Sequence, residues 1–182
     1  LGVCDLRCRW CDSPHTWQAA DTCRIQVSRG SSAFREIANP VPVAAIVAAA
    51  EALDLARHAF VALTGGEPLL QPEVVRALAQ ALRGRGPRIH LETHGLAHEA
   101  LAHVVDFVDL VAMDWKLASD VRREGESFKE AGADFHDAHE AFLRVARRAP
   151  EAFVKIVITA SSRDDEVLEA ARRIARVDPR IL

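Results

Sequence analysis

Short apolar runs that end at glycine, alternating with stretches of helical period, limit what this chain can fold into. Ala59 to Thr64 (AFVALT) runs into Gly65-Gly66 and Arg88 to Thr93 (RIHLET) into His94-Gly95, and Phe107 to Asp114 and Ala152 to Thr159 are further short apolar runs without the glycine. Between them lie segments of helical period: Pro42 to about Arg57, Gln71 to Leu82, Leu96 to Val104, Asp137 to Arg148 and Asp164 to Arg176. Strand-helix alternation of this kind predicts an α/β fold, a partial (β/α) barrel on a parallel sheet with right-handed crossovers. Reactive groups in such sheets gather at the carboxyl ends of the strands.

At 182 residues the sequence fits one domain over 1–182. The net charge of -3 is spread without a basic stripe, so no nucleic-acid partner is expected. Arg144 to Arg148 and Arg172 to Arg176 follow helical spacing and read as solvated faces. No apolar run reaches the length of about eighteen residues that a membrane helix needs. Residues 18–40 read as a flap or connection and 115–136 as a polar loop with some helix. The chain opens directly on a cysteine loop and closes as Pro179 introduces a further apolar run, so both ends of the fold are expected to be missing.

Three of the four cysteines, Cys4, Cys8 and Cys11, fall within eight positions as C-x3-C-x2-C. Three thiolates from one short loop suit three irons of a [4Fe-4S] cube and leave the fourth iron open. Zinc is the alternative, although structural zinc usually takes four ligands in paired knuckles and no second knuckle follows. A disulfide framework suits neither the chain length nor the crowding. The loop alone leaves iron-sulfur and zinc both standing, and Cys23 lies outside its spacing.

The strand ends bear on that choice. Thr64-Gly65-Gly66-Glu67-Pro68 closes the first run with unhindered backbone, a carboxylate and a fixed exit. On its own it is an ordinary strand-to-helix turn; beside an open iron, its carbonyls and Glu67 suit an amino group. C-x3-C-x2-C followed by GGEP resembles the radical S-adenosylmethionine superfamily. Cys11-Asp12-Ser13-Pro14-His15-Thr16-Trp17 resembles, within it, the C-D-T-P-x-T-W signature of the 7-carboxy-7-deazaguanine synthases. Leu91-Glu92-Thr93-His94-Gly95 is similar to that family's E-T-x-G strand end, and Met113 to Ser119 to its D-x-K-x-x-S segment.

The resemblance implies a radical-SAM-type fold and a cytoplasmic carbon-nitrogen lyase of queuosine and 7-deazapurine biosynthesis. Its reaction would be hydrogen-atom removal from C6 of 6-carboxy-5,6,7,8-tetrahydropterin, ring contraction and loss of ammonia to give 7-carboxy-7-deazaguanine. The implied cofactors are a [4Fe-4S] cluster on Cys4, Cys8 and Cys11, S-adenosyl-L-methionine, and Mg2+ on the hydroxyl of Ser13, where the family usually has threonine. Gly65, Gly66, Glu67 and Pro68 would hold the adenosylmethionine amine. Glu92, Asp114 and Lys116 would meet its carboxylate or a small cation, against a plain internal salt bridge as the alternative, and Thr64 would face the substrate. The implied partners are the pterin and an external electron donor such as flavodoxin or ferredoxin, with homodimers common in the family. Two rivals stand beside this: an activase of glycyl-radical enzymes, which offers no reason for the C-D-S-P-H-T-W run, and a non-catalytic iron-sulfur or zinc module.

Weaker expectations attach to other residues. Trp10 and Trp17 shield the cluster loop or simply pack there. Lys155 interrupts its strand and is expected to face the barrel mouth, since an unpaired buried lysine is costly. Cys23 is not taken as a ligand, and His15, His90, His94, His98 and His136 are expected at the surface or behind the site.

Overall fold

A computed structural model describes residues 1–181; the one-domain expectation runs on to Leu182, which lies outside them. In chain order the elements are β1 (Leu6–Cys8), β2 (Thr22–Gln26), β3 (Phe34–Ala38), α1 (Val43–Ala52), β4 (Phe60–Leu63), α2 (Pro72–Leu82), β5 (Arg88–Thr93), α3 (His98–Ala102), β6 (Leu110–Asp114), β7 (Val121–Arg123), α4 (His136–Ala146), β8 (Glu151–Lys155) and α5 (Asp164–Val177). The centre is a parallel sheet of order β4-β5-β6-β8. Among the described residues this sheet is open and does not close into a barrel.

β5 matches the predicted strand because its alternation is strict: Ile89, Leu91 and Thr93 are buried while Arg88, His90 and Glu92 are half-buried. Ile89, Leu91, Val111 and Met113 join Val75, Leu78 and Leu82 of α2 and Phe142 and Leu143 of α4 in one apolar core. The opposite face of the sheet is open. There His90 lies between the rings of Phe60 and Phe153, each at 6.2 Å, and both phenylalanines are exposed.

Several boundaries shift for local reasons. α1 stops at Ala52, well short of Arg57, because Asp54 takes a left-handed φ of 62° and a 3-10 turn follows over Leu55–Arg57. The third predicted strand begins only at Leu110, its first residue, Phe107, closing a 3-10 turn over Val105–Phe107. β8 leaves the sheet after Lys155, four residues before Thr159. Residues 18–40 hold an antiparallel hairpin, β2 with β3, that the reading as a flap did not contain. The polar loop likewise holds β7, paired antiparallel with β1. That pairing carries the cysteine loop: Leu6, Val121, Phe135 and Leu96 form a second, smaller core against which Cys4, Cys8 and Trp10 pack.

Candidate functional site

Every strand of the central sheet delivers a side chain to one cavity of about 500 Å3 at its carboxyl edge. Thr64 follows β4, Thr93 closes β5, Asp114 closes β6 and Lys155 closes β8. The cysteine loop roofs the same space, contributing Cys4, Cys8, Cys11, Asp12 and Ser13.

The loop is held there by backbone contact with the β4 exit. Leu1 N donates to Thr64 O at 2.9 Å, Gly66 N to Leu1 O at 2.8 Å and Glu67 N to Val3 O at 2.7 Å. A Cβ on Gly65 would overlap the Leu1 backbone, and one on Gly66 would overlap Val3 O and press on Thr16 O. The paired glycines, expected to admit a ligand, therefore admit the chain leading into the first cysteine, with part of their surface left open to the cavity. Arg7 braces the turn from outside, donating to Cys4 O and Leu6 O while stacking 4.5 Å from the Trp17 ring centre.

All three cysteines line the cavity, and none is in a disulfide. Burial pushes the Cys8 thiol up to about 11 and raises that of Cys4, so both are protonated at neutral pH until a metal displaces the proton. Among the described residues no three His, Cys, Asp or Glu side chains are gathered tightly enough for a single metal ion. A [4Fe-4S] cube takes one thiolate per iron, and three cysteines of one loop facing one cavity supply that donor set. Trp10 adds a second mark: its Nε1 is buried without an acceptor among the described residues.

Ser13 and Asp12 sit together at the rim, Ser13 Oγ donating to Asp12 Oδ1 at 2.9 Å. Opposite them, Asp114 Oδ2 accepts from Lys116 Nζ at 2.8 Å, and that ammonium rests 4.2 Å from the Trp10 ring centre. Glu92 lines the cavity, and among the described residues its one charge partner is His90, with Nδ1 at 3.7 Å.

Two expected residues are placed elsewhere. Glu67 is fully buried and does not reach the cavity: its Oε1 accepts from Leu69 N at 2.9 Å and Thr93 Oγ1 at 2.7 Å, and its Oε2 from His94 N at 2.7 Å. In this arrangement the carboxylate braces the exits of β4 and β5 from within the core. Pro68 is buried in the 3-10 turn Pro68–Leu70, again away from the cavity.

His94, expected at the surface or behind the site, is buried and borders the cavity. Its Nδ1 accepts from Leu96 N at 3.2 Å, so Nε2 carries the proton and donates to Asp5 Oδ1 at 3.0 Å. That bond holds the Asp5 carboxyl below its ordinary value and ties the cysteine loop to the β5 exit. Nothing local in the sequence announces the pair, because its members are 89 positions apart. Behind them His139 is fully buried: Nε2 accepts from Lys116 N at 2.8 Å and Nδ1 donates to Gly95 O at 2.7 Å. Burial pushes its pKa down to about 3, so the ring is neutral.

The model of the radical SAM superfamily matches residues 1–178. The 7-carboxy-7-deazaguanine synthase of Geobacter sulfurreducens is 33% identical over 96% of this chain and 66% of its own. Those of Thermococcus kodakarensis and Methanopyrus kandleri are 35% and 31% identical, over 71% and 85% of this chain and 57% and 58% of theirs. The chain thus spans somewhat less than two thirds of the length of these relatives. Among solved structures, archaeal TYW1 aligns with a TM-score of 0.49 at 11% identity, covering 75% of this chain and 48% of that one.

Proposed function

This chain belongs to the radical SAM superfamily, and on that premise we propose that it forms the core of a 7-carboxy-7-deazaguanine synthase, a lyase acting on 6-carboxy-5,6,7,8-tetrahydropterin. The observation that carries the reading is the shared cavity: Cys4, Cys8, Cys11 and Ser13 line it together with Thr64, Glu92, Asp114 and Lys116.

A [4Fe-4S] cluster with S-adenosylmethionine supplies one-electron cleavage of a carbon-sulfur bond and, through it, hydrogen-atom abstraction from the substrate. The protein's part is holding and positioning. Cys4, Cys8 and Cys11 are the thiolate ligands, and the orphaned Trp10 N-H lies in the same loop. The backbone of Thr64 to Gly66 and the side chains of Glu92, Asp114 and Lys116 receive the amino-acid end of the cofactor. Thr64 faces the substrate. Ser13 Oγ and the Asp12 carboxylate offer hard oxygens to Mg2+, which keeps its remaining positions for water and the substrate carboxylate. Placing one C-H bond against one cofactor carbon fixes which hydrogen leaves. An external donor such as flavodoxin or ferredoxin, a cytoplasmic location and pairing of two copies belong to the same proposal.

The test is anaerobic reconstitution with iron and sulfide, followed by assay of carboxytetrahydropterin turnover with and without Mg2+. Formation of 7-carboxy-7-deazaguanine with release of ammonia supports the reading. Cofactor cleavage under dithionite without pterin turnover in Mg2+ overturns the substrate, and no cleavage at all leaves a non-catalytic module.

A further inference from the structure

We infer that Lys155 is an anion-recognising residue of this cavity, its ammonium receiving a carboxylate of a bound molecule. Lys155 ends β8 directly opposite Asp114 in register, on the open face of the sheet, and borders the cavity. Its Nζ stands 3.2 Å from Asp114 Oδ1, yet the two lack hydrogen-bond geometry, and that oxygen is buried with no hydrogen bond among the described residues. Asp114 gives its one good bond to Lys116 through Oδ2.

The two lysines therefore differ in kind. Lys116 is buried between Asp114 and the Trp10 ring, whereas Lys155 has a side chain 45% exposed, pairs with Asp114 by charge alone and makes no side-chain hydrogen bond among the described residues. Two ammonium groups share one carboxylate, which leaves a positive charge in excess at that corner. Glu92 forms no ion pair with either lysine among the described residues; its partner there is His90.

A plain ion pair joining β6 to β8 explains less. The strands are already in register through their backbones, and a half-exposed pair contributes little. A molecule filling the cavity strips water from Lys155, and that loss is offset only if the molecule brings a negative charge to it. Two carboxylates meet the requirement, that of the methionine part of S-adenosylmethionine and that of the pterin; the second rests on the function proposed above.

Binding measurements separate them. Protein reconstituted with its cluster is titrated with S-adenosylmethionine, with its decarboxylated counterpart, with 6-carboxypterin and with pterin lacking the carboxyl group. Lys155→Gln should weaken one carboxylate ligand about 10-fold or more, as loss of a charge-assisted hydrogen bond does, and leave the decarboxylated counterparts near the wild-type value. Lys155→Arg should recover most of the loss. A loss confined to S-adenosylmethionine assigns the cofactor carboxylate; one confined to 6-carboxypterin assigns the substrate carboxylate. Wild-type protein that binds S-adenosylmethionine but no carboxypterin defeats the pterin reading alone, and the cofactor titration then decides Lys155. Unchanged affinity of Lys155→Gln for every carboxylate ligand that the wild type binds overturns the assignment.

Discussion

Thr93 Oγ1 donates to Glu67 Oε1 at 2.7 Å, joining the exits of β4 and β5 beneath the cavity. The same carboxylate holds two backbone N-H groups, so its three donors share two oxygens. In Glu67→Gln one oxygen becomes an NH2 that faces a donor, and a buried N-H or O-H loses its partner. The expected loss is about 1–3 kcal/mol in chemical denaturation. A variant of wild-type stability that has lost S-adenosylmethionine affinity would instead make Glu67 a ligand.

Gly66→Ala should detach the cysteine loop, because its Cβ overlaps Val3 O and presses on Thr16 O, both backbone atoms. We expect the iron content after reconstitution to fall to a small fraction of the wild-type value. Gly84→Ala is the control: that glycine has a positive φ of 78° but faces open space, so its strain should lower stability without touching cluster loading. Equal iron content in Gly66→Ala and wild type would mean the loop docks in some other way.

The parallel sheet was legible because Arg88 to Thr93 alternates strictly and Ala59 to Thr64 ends at paired glycines, features that depend only on neighbouring residues. The β2–β3 hairpin was not: Phe34, Arg35 and Glu36 of β3 are all exposed, so no buried face stamps a period on the sequence. β7 was hidden differently, since three residues paired with β1 across more than a hundred positions leave no local trace. The cavity residues were legible where a motif carried them. The bonds of Glu67 to Thr93 and of His94 to Asp5 join residues far apart in the sequence, which is why neither contact was legible in it.

His139 makes stability depend on pH. Its folded pKa of about 3 lies below the ordinary value of 6.5, so the unfolded chain binds a proton that the folded one refuses. The contribution is complete above pH 6.5 and is lost as pH falls toward 3, with a slope approaching about 1.4 kcal/mol per pH unit. His139→Phe should be less stable near pH 7.5, having left Lys116 N and Gly95 O unpaired, but flatter between pH 6.5 and 4. Parallel curves for the two proteins would show that other groups govern the acid limb.

Ser13→Ala separates the proposed metal role from the rest of the site. Ser13 Oγ makes one hydrogen bond, to the neighbouring Asp12, and caps no helix; the turn over Pro14–Thr16 is held through the Ser13 carbonyl, to which Thr16 N and Oγ1 donate. Removing the hydroxyl should therefore leave fold, iron content and cofactor cleavage within about a factor of two, since losing a half-buried hydroxyl bonded only to its neighbour shifts stability little. Pterin turnover should fall by tenfold or more, on the scale seen when a metal loses an oriented oxygen partner. Stripping Mg2+ with a chelator should slow the wild type to the same level and slow Ser13→Ala no further. Ser13→Thr should keep turnover near the wild-type level, because it retains the hydroxyl and its methyl group narrows the rotamers. If Ser13→Ala turns over normally and still responds to Mg2+, the cation is held by Asp12 or by the substrate alone, and the serine only completes the turn.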